Sequence, residues 1–142
     1  MSAMRTLTLL QPWATLVASG AKQIETRSSS TKYRGPLAIH SSARWTEEAR
    51  AFARNRAVIA RLGDERVFPL GAIVAVCDLV DCVATDDVGV ISPWEEAFGD
   101  YSPGRYAWYL HNIVPLDEPV PAKGALGLWT YQAEVFDLEA TV

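Results

Sequence analysis

The sequence is poor in the residues that build disulfide scaffolds and metal centres. Its 142 residues include two cysteines and two histidines. Cys77 and Cys82 lie in one predicted strand, where an odd separation places side chains on opposite faces, so we expect reduced thiols that do not pair with each other. His40 and His111 lack metal-ligand spacing with any cysteine or acidic cluster, so we expect no metal and no other cofactor.

Long hydrophobic runs are also missing. No stretch approaches the roughly 20 uncharged apolar residues that cross a bilayer, so no membrane partner is expected. The apolar run near the N-terminus is too short for a signal peptide and ends in Gln11-Pro12, which predicts a cytoplasmic location. Hydrophobic residues make up 49% of the chain, and we expect residues 1–142 to form a single, monomeric domain. Phosphate-binding loops, dinucleotide fingerprints and nucleophile elbows are absent from the sequence.

Basic residues are scarce after position 66. Ten of the thirteen lysines and arginines lie between positions 22 and 66, and only Arg105 and Lys123 follow. The chain can therefore present a basic face although its net charge is −4. Such a face is typical of proteins that bind nucleic-acid phosphates. A solvated helix surface that happens to be rich in arginine is the alternative.

Hydrophobic periodicity predicts six strands, two main helices and one short helical turn. Caps support the helices, because Gly20 follows the first one and Thr46 and Gly63 flank the second. Short strands combined with few helices favour an α+β fold built on a small β-barrel of five or six strands. The predicted strands are 4–10, 22–27, 36–41, 71–85, 105–116 and 127–135, and the helices are 12–19, 46–62 and the turn 93–98.

The segment Gly20-x-Lys22-x-x-Glu25-x-Arg27 concentrates charge of both signs. On a strand, Glu25 and Arg27 share one face about 7 Å apart, with Lys22 near the start of the strand. This combination can contact a base edge, bind a phosphate or position a lysine as a base. An exposed strand with ordinary salt bridges would show the same pattern. Asp78, on an apolar face of the long strand, also needs a partner, and Arg27, Lys22 or a structural arginine would suit it.

This octet resembles the G-x-K-x-x-E-x-R signature of the ASCH (activating signal cointegrator homology) domain. The segments LQPWATLVASGAKQIETR and TKYRGPLAIHSSA are similar to the opening block of that family, and DLVDC and GALGLW resemble its later strands. The resemblance implies a PUA-like β-barrel with a cleft beside a helix–strand junction, lined by the signature residues. It also implies that the partner is RNA, another single-stranded nucleic acid or a nucleoside, since this cleft is linked to nucleic-acid or modified-base binding in ASCH domains and their YTH and EVE relatives.

A hydrolase is the alternative function, since some ASCH members are acetylcytidine amidohydrolases or ribonucleases. The amidohydrolase type has a threonine three residues after the signature lysine, where this sequence has Glu25. Lys22 and Glu25 are the catalytic candidates if the protein is an enzyme, with Glu95 or Glu96 as the acid. The nucleophile is not carried over, and strand alternation turns the neighbouring Thr26 to the opposite face. We therefore favour a binding module, and a structural or protein-interaction domain is a third alternative.

Aromatic and polar side chains near the signature are candidate base contacts. Base recognition needs flat apolar faces for stacking and a few fixed hydrogen-bonding groups, although core packing is the alternative for each ring. Arg50, Arg54 and Arg61 recur on one side of the second helix and predict salt-sensitive phosphate contacts. The predicted binding residues are Lys22, Glu25, Arg27, Tyr33, His40, Ser41, Trp45, Arg50 and Arg54, and Trp13 is a further candidate.

Overall fold

The computed structural model describes residues 2–63 and 67–133. Within these ranges, strands and short helices alternate along the chain, and a 3-10 turn at Thr85–Asp87 follows the fourth strand. In chain order, the elements are β1 (Ser2–Leu9), α1 (Trp13–Ala18), β2 (Ile24–Arg27), β3 (Gly35–Ser41), α2 (Glu47–Ala53), α3 (Arg56–Leu62), β4 (Ala72–Ala84), α4 (Pro93–Phe98), β5 (Tyr106–Pro121) and β6 (Leu128–Ala133).

The six strands form one sheet in the order β2-β5-β4-β3-β1-β6. β1 runs parallel to β3, and every other neighbouring pair is antiparallel. The sheet curls into a half-barrel, which confirms the predicted α+β fold with a small barrel-like sheet. β2 and β6 are its edges in the described part of the chain, so one side of β2 is free to border a cleft.

Two apolar clusters hold α1 in place. Leu7 and Ile39 of the sheet are fully buried, and Val17 of α1 belongs to the same cluster. Leu16 of α1 instead packs with Phe98 of α4 and with residues of α3. Each fully buried aliphatic side chain of this size stabilises the fold by about 1.5–3 kcal/mol. α1 is therefore anchored by both clusters, and it fixes the start of the segment that leads into β2. No helix in the described ranges is long and apolar enough to span a membrane.

The predicted helix 46–62 is wrong as a single element. α2 ends at Ala53, and Asn55 has extended backbone angles before α3 begins. The Asn55 side chain accepts a hydrogen bond from the backbone N–H of Ala57 at 2.8 Å and so caps α3. Asparagine side chains compete with the helical backbone in this way, which makes them good caps and poor interior residues.

β2 also begins later than predicted, at Ile24 instead of Lys22. The backbone N–H of Lys22 donates to Leu16 O at 3.0 Å, so this residue still belongs to the turn after α1. Gly20 has a φ of +82°, as expected for the left-handed residue after a helix. The last part of the predicted final strand, residues 134–135, lies outside the described residues.

The prediction that the two cysteines lie on opposite faces of β4 is wrong. Cys77 is buried in the main core cluster, and the half-buried Cys82 packs against the same cluster. The pairing of β4 with β5 shifts register between Leu79 and Asp81, and such an irregularity changes which face the following residues occupy. Both thiols are free, and burial raises the pKa of Cys77 to about 12.

Asp78 finds a partner other than the predicted ones. Its Oδ2 accepts a hydrogen bond from Asn112 Nδ2 at 2.9 Å. The ion pairs of Lys22 and Arg27 go to Glu25 instead. Asn112 has a φ of +54°, a conformation that asparagine tolerates better than most residues. The carboxylate of Asp78 is thus stabilised by Asn112 at the surface of the sheet and is not paired with Lys22 or Arg27.

Candidate functional site

A cleft of about 480 Å³ opens where α1, β2 and the end of α4 meet. We call it the main cleft. The free edge of β2 forms one side, and the helices close the other sides. Its lining residues are residues 8–10, Trp13, residues 25–27, Phe52, residues 97–100 and Arg105. Of the predicted catalytic and binding residues, this cleft brings together Glu25 and Arg27, with Trp13 opposite.

Lys22 lies beneath the cleft, outside its wall. Its side chain is fully buried. The Nζ donates to Ile24 O at 2.6 Å and to Phe98 O at 3.1 Å, and lies 3.5 Å from Glu25 Oε1. These three oxygens match the three N–H donors of an ammonium group. Because Phe98 ends α4, Lys22 ties β2 to the negative end of that helix and fixes one side of the cleft.

Arg27 is the signature residue with unused hydrogen-bonding capacity. Its Nη1 lies 3.3 Å from Glu25 Oε2, and its guanidinium lies over the ring of Trp108, 5.7 Å from the centroid. Among the described residues, the bond to Glu25 is the one hydrogen bond of this side chain. A guanidinium has five N–H donors. Most of them are therefore available to a ligand in the cleft.

Arg105, the second arginine in the cleft wall, is held by the protein itself. Its Nε donates to Asp100 O at 3.1 Å and its Nη2 donates to Thr26 O at 3.2 Å. The Thr26 hydroxyl in turn accepts the N–H of Asp100 at 2.9 Å. Thr26 also borders the cleft, although strand alternation predicts that its side chain points to the face opposite Glu25. β2 is an edge strand, so no neighbouring strand in the described ranges covers its outer side. These contacts brace the edge and hold the Arg105 side chain against the backbone of Asp100 and Thr26.

Two aromatic rings form the apolar wall of the main cleft. Trp13 and Phe52 stack in parallel, with centroids 4.6 Å apart and planes at 6°. Phe98 meets the ring of Phe52 edge-on at 6.5 Å. Trp13 is a candidate from the sequence, whereas Phe52 is not among the predicted binding residues. Because the helix is broken after Ala53, the direction of α2 differs from that of α3, and α2 places Phe52 at the cleft.

A second pocket of about 460 Å³ adjoins the main cleft. We call it the side pocket. Thr8, Leu10 and Arg27 line both spaces, so the two are contiguous and Arg27 lies at their junction. The other lining residues of the side pocket are His40, residues 42–44 and residues 123–127.

His40 forms the floor of the side pocket and is 1% exposed. Its Nε2 lies 2.7 Å from Ala122 O, which can only accept, so Nε2 carries the proton. Its Nδ1 lies 3.1 Å from the hydroxyl of Thr8, which also accepts the indole N–H of Trp129 at 2.9 Å. Burial lowers the pKa of His40, opposed by the Ala122 carbonyl. The neutral ring is fully occupied and positions the surrounding segments.

Three other predicted binding residues lie outside both spaces. Ser41 is buried, and its hydroxyl bonds to the backbone of β4. Tyr33 donates its hydroxyl to Pro36 O. Trp45 packs against Phe68 with centroids 5.7 Å apart. Each of these side chains has a structural partner, and their role in binding stays a prediction.

The prediction of one arginine stripe along a single helix is wrong, because its members lie on two helices. Arg50 and Arg54 are exposed on α2 and at its end. Arg61 lies on α3, with its guanidinium 4.4 Å from the ring centroid of Trp94. None of the three lines the main cleft or the side pocket. A contact of Arg50 and Arg54 with nucleic acid stays a prediction for a longer strand.

The acidic candidates lie away from the main cleft. Glu95 is buried and Glu96 is exposed. Glu95 Oε2 accepts the backbone N–H of Gln23 at 2.6 Å, and its Oε1 has no hydrogen-bond partner among the described residues. Burial raises the pKa of Glu95, opposed by that hydrogen bond and by Lys22. Glu95 borders a separate pocket beside Trp94. In the described ranges, no three His, Cys, Asp or Glu side chains lie close enough to hold a metal ion.

Several lining residues escape prediction from the sequence. Arg44 follows β3 and Lys123 lies in the connection between β5 and β6, yet both border the side pocket. The one available signal is that Lys123 is the only lysine after position 66. Spacing cannot reveal this pair, because its members meet only through the order of the strands in the sheet.

Comparisons with known proteins agree with this architecture. The sequence model of the ASCH domain matches residues 7–120. Activating signal cointegrator 1 of Homo sapiens is 26% identical over 137 residues, which covers 91% of this chain, and its Mus musculus counterpart is 25% identical over the same length and share. Each alignment spans 22% of the relative, so the chain corresponds to about a fifth of those proteins.

The fold has counterparts among solved structures. The crystal structure of ASCH from Zymomonas mobilis has a TM-score of 0.52 at 11% identity, covering 94% of this chain and 90% of that chain. A point mutant of the same protein has the same TM-score at 12% identity, covering 94% and 92%. At these identities the similarity concerns the course of the backbone alone.

Proposed function

This chain belongs to the ASCH domain family, which is associated with RNA binding, and from that premise we propose that it binds single-stranded RNA through a nucleotide held in the main cleft. The observation that carries the proposal is the position of Arg27. Its guanidinium lies in the cleft wall beside Glu25 with most of its donors unused. A donor for phosphate and an acceptor for a base edge therefore meet in one cleft.

Each wall of the cleft has a role in this proposal. The rings of Trp13 and Phe52 supply a flat apolar surface, and base stacking on aromatic side chains contributes about 1–3 kcal/mol per base. Glu25 is an acceptor when ionised, which favours base edges with N–H donors. Arg27 binds the phosphate, since its planar group matches phosphate oxygens in pairs. Lys22 positions Glu25 and the end of α4 from beneath.

Hydrolysis is less well supported than binding. The amidohydrolase type combines a lysine with a threonine three residues later, and Glu25 occupies that place here. The Nζ of Lys22 is buried and has three oxygen partners. Glu95, the buried acidic candidate, borders a different pocket. We therefore infer a binding site that holds its ligand without cleaving it.

The test compares four ribonucleoside 5′-monophosphates with the four nucleosides, using titration calorimetry at fixed, moderate salt. We expect the Arg27→Gln variant to lose about ten- to hundredfold in monophosphate affinity, because a hydrogen bond to a charged group contributes about 1.5–3 kcal/mol. Nucleoside affinity should change much less. Arg56→Gln is the matched control, since Arg56 is exposed at the start of α3 and outside both spaces.

The proposal fails if no monophosphate binds and a random-sequence RNA octamer does not bind either. It also fails if Arg27→Gln and Arg56→Gln reduce affinity equally, since the effect would then reflect total charge alone. Slow conversion of a bound nucleotide by the wild-type protein would favour the hydrolase alternative instead. Thermal unfolding of each variant establishes that the fold is retained.

A further inference from the structure

The main cleft and the side pocket form one groove with a cation at its middle. Thr8, Leu10 and Arg27 belong to both linings. The main cleft offers an aromatic wall and a carboxylate, and the side pocket extends the groove beyond Arg27. A ligand that fills both spaces must therefore pass the guanidinium. That arrangement suits a linear oligomer that has a negative charge between two bulkier units.

The side pocket has cations that the protein leaves uncompensated. Arg44 and Lys123 are exposed, and neither side chain has a hydrogen bond or ion pair with another described residue. Leu126 lies in the same lining and is 97% exposed. An exposed apolar side chain in the same pocket as two free cations matches a ligand that carries both phosphate charge and an apolar ring.

Hydrogen bonds and close packing hold the floor of the side pocket. Ala122 is held by its N–H to Gly71 O at 3.0 Å and by its carbonyl to His40. Gly124 lies so close to His40 that an added Cβ would come within 2.7 Å of the ring and 2.9 Å of the Thr8 hydroxyl. Only glycine fits at this approach. The backbone on either side of Lys123 is thus held against the floor, at Ala122 by hydrogen bonds and at Gly124 by close packing, which lowers the ordering cost of binding.

We infer that the groove binds two successive nucleotides of an RNA strand. The base of one nucleotide occupies the main cleft, the phosphate that links the two contacts Arg27, and the second nucleotide lies in the side pocket between Arg44 and Lys123, against Leu126. This inference rests on the proposed function and adds to it a second nucleotide subsite. The shortest ligand that uses the whole groove is thus a dinucleotide.

The experiment measures the affinities of the four ribonucleoside 5′-monophosphates and of the four matching 5′-phosphorylated homodinucleotides. For the base that binds best, we expect the dinucleotide to bind wild-type protein about tenfold more tightly or better, the change that one added charged contact brings. The double variant Arg44→Gln/Lys123→Gln should lose this gain and retain monophosphate binding. The double variant Lys32→Gln/Arg56→Gln removes the same charges elsewhere and should retain both.

The outcomes separate this inference from the function on which it rests. If monophosphates bind and dinucleotides bind no more tightly, the second subsite is wrong and the main-cleft proposal stands. A dinucleotide gain that persists in Arg44→Gln/Lys123→Gln, or that disappears equally in the control pair, also overturns the subsite. If neither monophosphates nor dinucleotides bind, the proposed function fails together with the inference.

Discussion

Lys22 is a buried cation whose role depends on its partners. Three oxygens from β2, from the end of α4 and from Glu25 surround its Nζ. A buried charge is tolerated when its donors are matched, and removing one partner of such a pair leaves the other uncompensated. The same side chain therefore supports the cleft in two ways, by holding Glu25 and by fixing the carbonyl of Phe98.

We predict that Lys22→Met destabilises the protein by about 3–5 kcal/mol, because it leaves Glu25 and two backbone carbonyls without their buried partner. Urea unfolding followed by tryptophan fluorescence measures the difference. Lys32→Met is the matched control, since Lys32 is exposed and an exposed substitution changes stability by about 0.5 kcal/mol or less. Equal stability of the two variants would show that the buried contacts of Lys22 contribute nothing.

The break between α2 and α3 is the element-scale feature that shapes the main cleft. Residues 46–62 have continuous helical periodicity, which is why one helix is predicted from the sequence. Asn55 interrupts it, and α3 then packs Val58 and Leu62 with Leu16 and Phe98. Packing of a short amphipathic helix against a core outweighs the small gain from joining two helices. As a consequence, α2 can direct Phe52 toward Trp13.

We predict that Asn55→Ala lowers the free energy of unfolding by about 1 kcal/mol, within a range of 0.5–2 kcal/mol, because α3 loses the cap that accepts the Ala57 N–H. Thermal and chemical unfolding monitored by circular dichroism measure the loss. Asn55→Ser keeps a capping oxygen and should stay close to wild type. A gain of stability in Asn55→Ala would mean that the continuous helix is the better structure and that the cap contributes little.

The whole molecule is acidic, yet its basic residues are concentrated on one part of the chain. Arg27 and Arg44 reach the groove together with Lys123, and Arg50 and Arg54 stay exposed on α2. The net charge of −4 therefore does not describe the surface that a ligand meets. A cytoplasmic location, a monomeric state and a single domain over residues 1–142 stay predictions from the sequence.

We predict that binding of an RNA dodecamer depends strongly on salt. Each phosphate contact on a single strand adds about −0.7 to the slope of log affinity against log salt concentration. Arg50→Gln/Arg54→Gln should therefore flatten the slope by about 1.4 if both residues contact phosphates. Arg56→Gln/Arg61→Gln removes two charges from α3, where Arg61 already lies over Trp94, and should leave the slope close to wild type. Identical slopes in both variants would make Arg50 and Arg54 an ordinary solvated surface.

The sequence by itself determines the fold class and the course of the elements. Alternation and helical periodicity locate the six strands, and Gly20 ends α1 as predicted. The spacing of Glu25 and Arg27 places both in one wall of the main cleft, because residues two apart on a strand share a face. Features of this kind depend on neighbours along the chain, and local conformational preference is sufficient to predict them.

Only the tertiary structure decides which groups remain free for a ligand. His40 is occupied by Thr8 and Ala122, and Lys22 is occupied by β2 and α4. Arg44 and Lys123 meet at one pocket through the order of the strands. These outcomes arise from contacts between residues far apart in the chain, since burial uses up some donors and leaves others exposed. A single sequence records the donors but not the partners that the folded chain provides for them.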